Sequence, residues 1–224
     1  MFSVSHLHKS FPTPQGDLKV LTDINLDVSE GEFVAIIGES GSGKSTLLQI
    51  LGTLDHPDSG SMILDGKKIQ NLNETQLAKF RNHHIGFIYQ SHHLIPELTA
   101  LENIMLPLLI QGKSKDYAIE QATHLLSELG LSERANHTPA HLSGGEAQRV
   151  AVARAIITKP KFILADEPTG NLDEKTASTV FSMMHDACKS QNLTVIMVTH
   201  SLSFAKACDK IFTLKHGVLS PHYF

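Results

Sequence analysis

The chain has no tryptophan, only two cysteines and no apolar run long enough to cross a bilayer. Each absence removes a class of protein. A membrane-spanning helix needs about 20 mostly apolar residues, whereas the strongest apolar run here, Ile104 to Ile110, is short and contains Pro107. A membrane role is therefore expected to come through a partner. Cys188 and Cys208 lie in segments that read as helices and have neither Cys-x-x-Cys nor Cys/His ligand spacing, which makes buried, reduced thiols the expectation. The opening Met1-Phe2-Ser3-Val4-Ser5-His6 lacks a basic stretch followed by an apolar run, so no signal peptide is expected. Positive charge is not in excess either. Lys+Arg number 19 against 23 Asp+Glu, for a formal net charge of −4, and the basic residues are scattered, which argues against a nucleic-acid partner.

Histidine, by contrast, is plentiful: 14 residues, including the pairs His83-His84 and His92-His93. These read as loop and surface residues rather than metal ligands, with His200 set apart below. At 224 residues the chain suits one large domain or a core with a subdomain. Roughly 70–75% of its unfolded surface can be buried, so no disulfide or metal staple is required.

Ile24, Leu26 and Val28 alternate with polar residues and end at the turn Ser29-Glu30-Gly31, as in a half-buried strand. Glu32 to Ile37 is nearly continuous apolar sequence, the pattern of a buried parallel strand. A glycine loop follows, then a helix from Lys44 to about Leu54, broken by Asp55–Gly60 before a short strand at Ser61 to Leu64. Ile85 to Tyr89 reads as a further strand. From Thr99 to about Ile157 the pattern is mostly helical, with Leu101, Ile104, Met105 and Leu108 on one face and Leu125, Leu126 and Leu129 on another until Gly130. Strands then return at Phe162–Ala165 and Thr194–Thr199 around a helix from Asp173 to about Lys189. The expectation is an α/β, P-loop core with an antiparallel β portion near the N-terminus and an inserted helical subdomain. In residues, this is a single domain over 1–224, its core about 1–90 and 158–224 and its helical part about 91–157.

Three segments carry chemistry. Gly38-Glu39-Ser40-Gly41-Ser42-Gly43-Lys44-Ser45 fits G-x-x-x-x-G-K-[ST], with a strand before it and a helix from Lys44 and Thr46 onward. Its glycines allow backbone N–H groups to form an anion nest at a helix N-terminus. Lys44 supplies charge for β- and γ-phosphates, and the Ser45 hydroxyl can join a Mg²⁺ shell. Thr46 stands where a dinucleotide fingerprint starting at Gly41 would need its last glycine. Asp166 closes an apolar strand where a Mg²⁺-associated carboxylate belongs, and Glu167 is placed to polarise an attacking water as general base. Ser143-x-x-Glu146 is a capping box opening a helix through Ile157, and such a terminus also attracts phosphate.

Together with Leu142-Ser143-Gly144-Gly145-Glu146, these segments resemble ATP-binding cassette (ABC) ATPases over essentially the whole chain. Gln90 after a strand, Asn171-Leu172-Asp173 and His200 after a strand belong to the same resemblance. It implies ATP and Mg²⁺ as ligands and a homodimer closing head to tail, each ATP between one P-loop and the opposite Ser143-Gly144-Gly145. It further implies that Gln90 joins the metal, senses the γ-phosphate and couples to a membrane subunit, that His200 contacts the γ-phosphate, and that Phe11 stacks on adenine. A core side chain is the competing reading of Phe11, and His200 read alone is a strand-end structural histidine. Ser201 departs from an aspartate frequent after that histidine, which leaves local dimer contacts open.

Within the family, Gly86 to Pro96 continuing into Leu98–Ile104 is similar to the ATPases of bacterial lipoprotein-releasing transporters, with His92-His93-Leu94 the more discriminating part. That likeness implies two inner-membrane partner subunits, a place on the cytoplasmic face of the membrane, and the extraction of outer-membrane lipoproteins. Macrolide-type exporters and cell-division ATPases share the Asp166–Asp173 string and form the alternative. A soluble P-loop phosphotransferase is disfavoured by the Leu142–Glu146 segment and the Asp166-Glu167 pair.

Overall fold

The computed structural model describes residues 1–223. Strands β1 (Phe2–Thr13) and β2 (Gly16–Val28) pair antiparallel. Ile24, Leu26 and Val28 are buried while Asn25 and Asp27 face water, as the alternation requires. In β3 (Phe33–Ile37) all five residues are buried. Val34 and Ile36 join one core, whereas Phe33, Ala35 and Ile37 join another on the opposite face. A strand covered on both sides cannot alternate in polarity, which is why this one reads as continuous apolar sequence.

Helix α1 (Lys44–Leu51) follows the glycine loop and ends three residues earlier than its apolar pattern predicts. The chain beyond it begins at Gly52, packed so closely on Phe87 that an added Cβ would lie 2.4 Å from the ring, and Thr53 follows in left-handed backbone at φ 58°. Strands β4 (Ser59–Leu64) and β5 (Lys67–Lys68) complete a four-stranded sheet in the order β2-β1-β4-β5. Helix α2 (Glu74–His84) carries His83 and His84 in its last turn, not in a loop, and the His84 ring stacks on Phe80 at 4.5 Å.

Next come β6 (Ile85–Tyr89), α3 (Ala100–Ile110), α4 (Lys115–Glu128) and α5 (Gly144–Ile156). The mostly helical stretch is thus interrupted between 129 and 143, where two short 3-10 turns form. The third core cluster has all its fully buried residues between Ala100 and Ile157. Helix α5 serves two cores, giving Val150 and Ala153 to this cluster and Val152 and Ala155 to the sheet. Asn103 is fully buried on α3 and ties down the preceding loop. Its Oδ1 accepts from Ile95 N at 2.8 Å, and its Nδ2 donates toward the carbonyls of Ile95, Leu98 and Thr99 at 3.0–3.1 Å. Asn103→Ala strands several buried backbone groups and is expected to lower stability by about 2–3 kcal/mol, read from urea unfolding. A change under 0.5 kcal/mol would show that the loop does not depend on it.

The chain ends with β7 (Phe162–Asp166), α6 (Glu174–Gln191), β8 (Thr194–Thr199), α7 (Leu202–Lys206), β9 (Lys210–Lys215) and β10 (Val218–Pro221). Asp173 caps α6 by accepting from Thr176 N at 3.1 Å. Cys188 is buried on α6. Cys208 lies beyond the end of α7, not within a helix, and is half-buried, and burial pushes its thiol up to about 12; both cysteines are free.

The larger sheet runs β10-β9-β3-β8-β7-β6, parallel except at β10. Its register decides where chemistry can occur. Ile37 lies opposite Thr199, Tyr89 opposite Asp166, and Asp166 opposite Val198. The residues that follow, Gly38, Gln90, Glu167 and His200, therefore emerge side by side at the carboxyl ends of adjacent strands, the edge at which open α/β sheets bind ligands.

Candidate functional site

The loop after β3 turns through left-handed backbone at Gly41 (φ 78°) and Gly43 (φ 100°), and Gly43 is the N-cap of α1. Glycine enters this region without the steric penalty a Cβ would carry. Gly38 is needed for a different reason, since a Cβ there would lie 2.4 Å from the Leu214 carbonyl oxygen. Lys44 folds back over the loop, its Nζ donating to the carbonyls of Gly38 at 2.8 Å and Glu39 at 2.9 Å.

A cleft of about 760 Å³ opens above this loop. It brings together Phe11, Gly38, Ser40, Gly41, Gly43, Lys44, Ser45, Thr46, Gln90, Asp166, Glu167 and His200. Phe11 is 39% exposed at the rim, with Lys9 Nζ 5.1 Å from its ring centroid, so it is not a core side chain. Glu39 and Ser42 instead line a neighbouring cleft with Lys19 and Lys215. Ser143, Gly144 and Gly145 line a third, of about 340 Å³, with Arg149, Asn171 and Asp173. The Ser143 turn and the glycine loop of one chain therefore do not share a cleft.

Asp166 is half-buried. Burial pushes its carboxyl above the ordinary range and the charge of Glu167 adds to that, while a hydrogen bond from Ser45 and the charge of Lys44 oppose it. Glu167 adopts φ 46°, left-handed backbone just before Pro168, where a non-glycine residue is strained. That turn brings its carboxylate to His200. Glu167 Oε2 lies 3.0 Å from His200 Nδ1 and accepts from His200 N at 3.3 Å. Gln90 Nε2 donates to Asn171 Oδ1 at 3.0 Å, a contact between segments 81 residues apart.

At the third cleft, Ser143 and Glu146 form the full capping box, with Ser143 N donating to Glu146 Oε2 at 2.8 Å and Glu146 N to Ser143 Oγ at 3.3 Å. Arg134 adds a 2.7 Å ion pair to the same carboxylate. Together the Ser143 N–H and the Arg134 guanidinium hold Glu146 down to about 2 from 4.5. A lowered folded-state value favours the charged form. Its contribution to stability is thus present above pH about 4.5 and fades as pH falls toward 2. Gly145 packs on α6, where an added Cβ would come within 2.4 Å of Thr176 Cγ2.

The motifs of the sequence do not mark Val20, Tyr89, Ser91 or His93, which also line the main cleft. The last three lie in the Gly86–Pro96 segment that the sequence singles out as a resemblance without giving these residues a role, and Val20 arrives through pairing of β1 with β2.

The family described as "ABC transporter" matches residues 21–170. The chain belongs to this family. Among curated relatives, the "Lipoprotein-releasing system ATP-binding protein LolD" of Shewanella frigidimarina is 47% identical over 219 residues, covering 98% of this chain and 92% of the relative. Its namesake in Rickettsia felis is 49% identical over 217 residues, covering 97% and 96%. Among solved structures, a dimeric ATP-binding cassette in a post-hydrolysis state bound to ADP and Pi matches with TM-score 0.92 and 38% identity over the whole of both chains. A dimeric bacterial ABC transporter cassette matches equally well at 39% identity. The chain is thus an ABC ATPase with the P-loop α/β fold, antiparallel β portion and helical portion that its sequence suggests, acting on ATP with Mg²⁺.

Proposed function

We propose that this ABC ATPase powers the release of lipoproteins from the bacterial inner membrane toward the outer membrane. The observation that carries this is near full-length identity of 47–49% to relatives bearing that role in their name. A macrolide-type efflux or cell-division complex is the alternative, and the relatives' names do not favour it. The division into a core of about 1–90 and 158–224 and a helical subdomain of about 91–157 belongs to this reading, supported by the separate buried cluster of α3, α4 and α5.

In this reading, Gly38–Thr46 cradle the phosphates of ATP, with Phe11 against the adenine. The fit is chemical: backbone N–H groups at a glycine-rich helix N-terminus, and a lysine whose Nζ donates to the carbonyls of the loop itself. Ser45, Asp166 and Gln90 provide the hard oxygen ligands Mg²⁺ prefers. Bound there, Mg²⁺ would supply positive charge against that developing on the phosphates. Glu167, braced by His200, takes the proton of the attacking water, while Lys44 stabilises the transferred phosphoryl group. Since Ser143, Gly144 and Gly145 lie in a different cleft from the P-loop of their own chain, they serve the ATP of a second copy, in a head-to-tail homodimer.

Two inner-membrane subunits of the LolC/LolE kind complete the complex, with this chain peripheral on the cytoplasmic face. No helix among the described residues is long and apolar enough to cross a membrane. An apolar groove of about 400 Å³ supports a partner of this sort. Leu54, Ile85, Phe87, Leu106, Pro107 and Ile110 line it, and Ile110 is 66% exposed. The test is affinity purification of Glu167→Gln from solubilised membranes with ATP, followed by mass spectrometry. Two lipoprotein-releasing membrane subunits are expected. Recovery of one cell-division or efflux-type membrane protein instead would overturn the role and leave the ATPase chemistry standing.

A further inference from the structure

Two side chains of α5 hold the backbone on both sides of Gln90, and the chemistry proposed above uses neither. Before Gln90, Gln148 Nε2 donates to the Tyr89 carbonyl oxygen at 3.2 Å, an oxygen that also receives the His92 N–H at 3.1 Å. After it, Arg154 spreads its guanidinium over two successive carbonyls, Nη1 to His93 O at 2.6 Å and Nη2 to His92 O at 2.8 Å.

Gln148 is only 1% exposed, on a helix whose Ala147, Val150, Ala151 and Val152 are also buried. Its Oε1 has no hydrogen-bond partner among the described residues. An apolar side chain of similar volume would fill the place without burying an unmatched acceptor. What Gln148 contributes is therefore its bond to Tyr89. Arg154 is unusual in a complementary way, because its bonds go to carbonyls rather than to a carboxylate. The residues it holds, His92 (φ 61°) and His93 (φ 48°), are consecutive non-glycine residues in left-handed backbone. Such a pair persists only where its surroundings over-determine it. Arg154 supplies that from one side, and the Tyr89 ring, stacked on His93 at 4.5 Å, from the other.

We infer that Gln148 and Arg154 are positioning residues for Gln90. Tyr89 is fixed in register opposite Asp166, so the loop beyond it is the first segment able to follow α5. Held from α5 on both sides, Gln90 keeps its place beside Asp166 and Glu167. This rests on the role of Gln90 proposed above.

The test measures phosphate release at saturating Mg-ATP, ATP affinity and thermal unfolding for Gln148→Met, Arg154→Lys, Gln90→Ala and the double variant Gln148→Met/Gln90→Ala. Lysine keeps the charge of Arg154 but cannot bridge two carbonyls with a planar fork. Gln148→Met and Arg154→Lys are each expected to lower kcat by ~10–100-fold, the usual effect of removing a residue that orients a functional group. ATP affinity should stay within about twofold, and Gln148→Met should unfold at or above the parent temperature. The double variant should be no slower than Gln90→Ala alone, because residues acting as one unit are not additive. A kcat loss that tracks a lowered unfolding temperature, or additive losses in the double variant, would overturn the inference. So would Gln148→Met or Arg154→Lys at parental rate while Gln90→Ala is impaired. Gln90→Ala at parental rate would instead remove the role of Gln90 itself, and the positioning role with it. Should Gln148→Met fail to fold, Arg154→Lys carries the same test.

Discussion

Glu167→Gln is expected to lower ATP hydrolysis by ~10²–10⁴-fold, the range that a positioned general base contributes, while ATP binding survives. The substitution is nearly isosteric. It keeps the left-handed turn before Pro168, the bond from Glu167 N to Val198 O at 3.0 Å, and an oxygen to accept from His200 N. What it removes is the only carboxylate that the β7 end turns toward His200, and an amide cannot take a proton from water. Asp166 is not free to substitute, because it is hydrogen-bonded to Ser45 and, in the proposed reading, serves the metal. With the chemical step blocked, the proposed arrangement predicts that ATP stays between the P-loop of one chain and Ser143 of the other. The variant should then run as a dimer in ATP and as a monomer without it when sized by light scattering. Hydrolysis at the parental rate would take the base role from Glu167, and a dimer that ignores ATP would remove the trans arrangement of the two clefts.

How much of this was legible in the sequence follows from the range of the interactions involved. Strands β3, β6 and β8 are short apolar runs because both faces of a parallel sheet are covered, so their bounds can be read almost to the residue. The Ser143 cap is equally local, with donor and acceptor three residues apart. Features set from a distance were not readable. The close packing of Gly52 on Phe87 is one of them, and another is the loop of His92 and His93, held by Arg154, which lies 61 residues from His93. The same holds for the Gln90–Asn171 contact and for the exposure of Phe11, which separates a cleft residue from a core one only when β1 and β2 are paired. The pairing of His200 with Glu167 likewise needs the register of β7 and β8. Motifs name the residues that carry charge or protons, whereas the side chains that aim them, such as Gln148, have no pattern of their own.

Lys44→Ala is the second change with a large expected effect, a fall in turnover of ~10²–10³-fold, typical for losing one preorganised electrostatic contact. Unlike the Glu167 variant, it should also weaken ATP binding, because the charge of Lys44 acts on the ground state as well as on the transferred phosphoryl group. The fold gives no reason for collateral damage. Lys44 is the first residue of α1, whose cap is Gly43, and among the described residues its Nζ donates to two carbonyls of the loop itself. Alanine is a strong helix former, and the unfolding free energy should change by no more than about 0.5 kcal/mol. Lys44→Arg should remain impaired although it keeps the charge, since a planar guanidinium cannot take the place of a compact ammonium inside the loop. Phosphate release, nucleotide titration and urea unfolding on the three proteins separate these effects. Parental turnover in Lys44→Ala would mean that the backbone nest alone holds the phosphates. Loss of turnover together with loss of stability would place Lys44 in the architecture of the loop rather than in its chemistry.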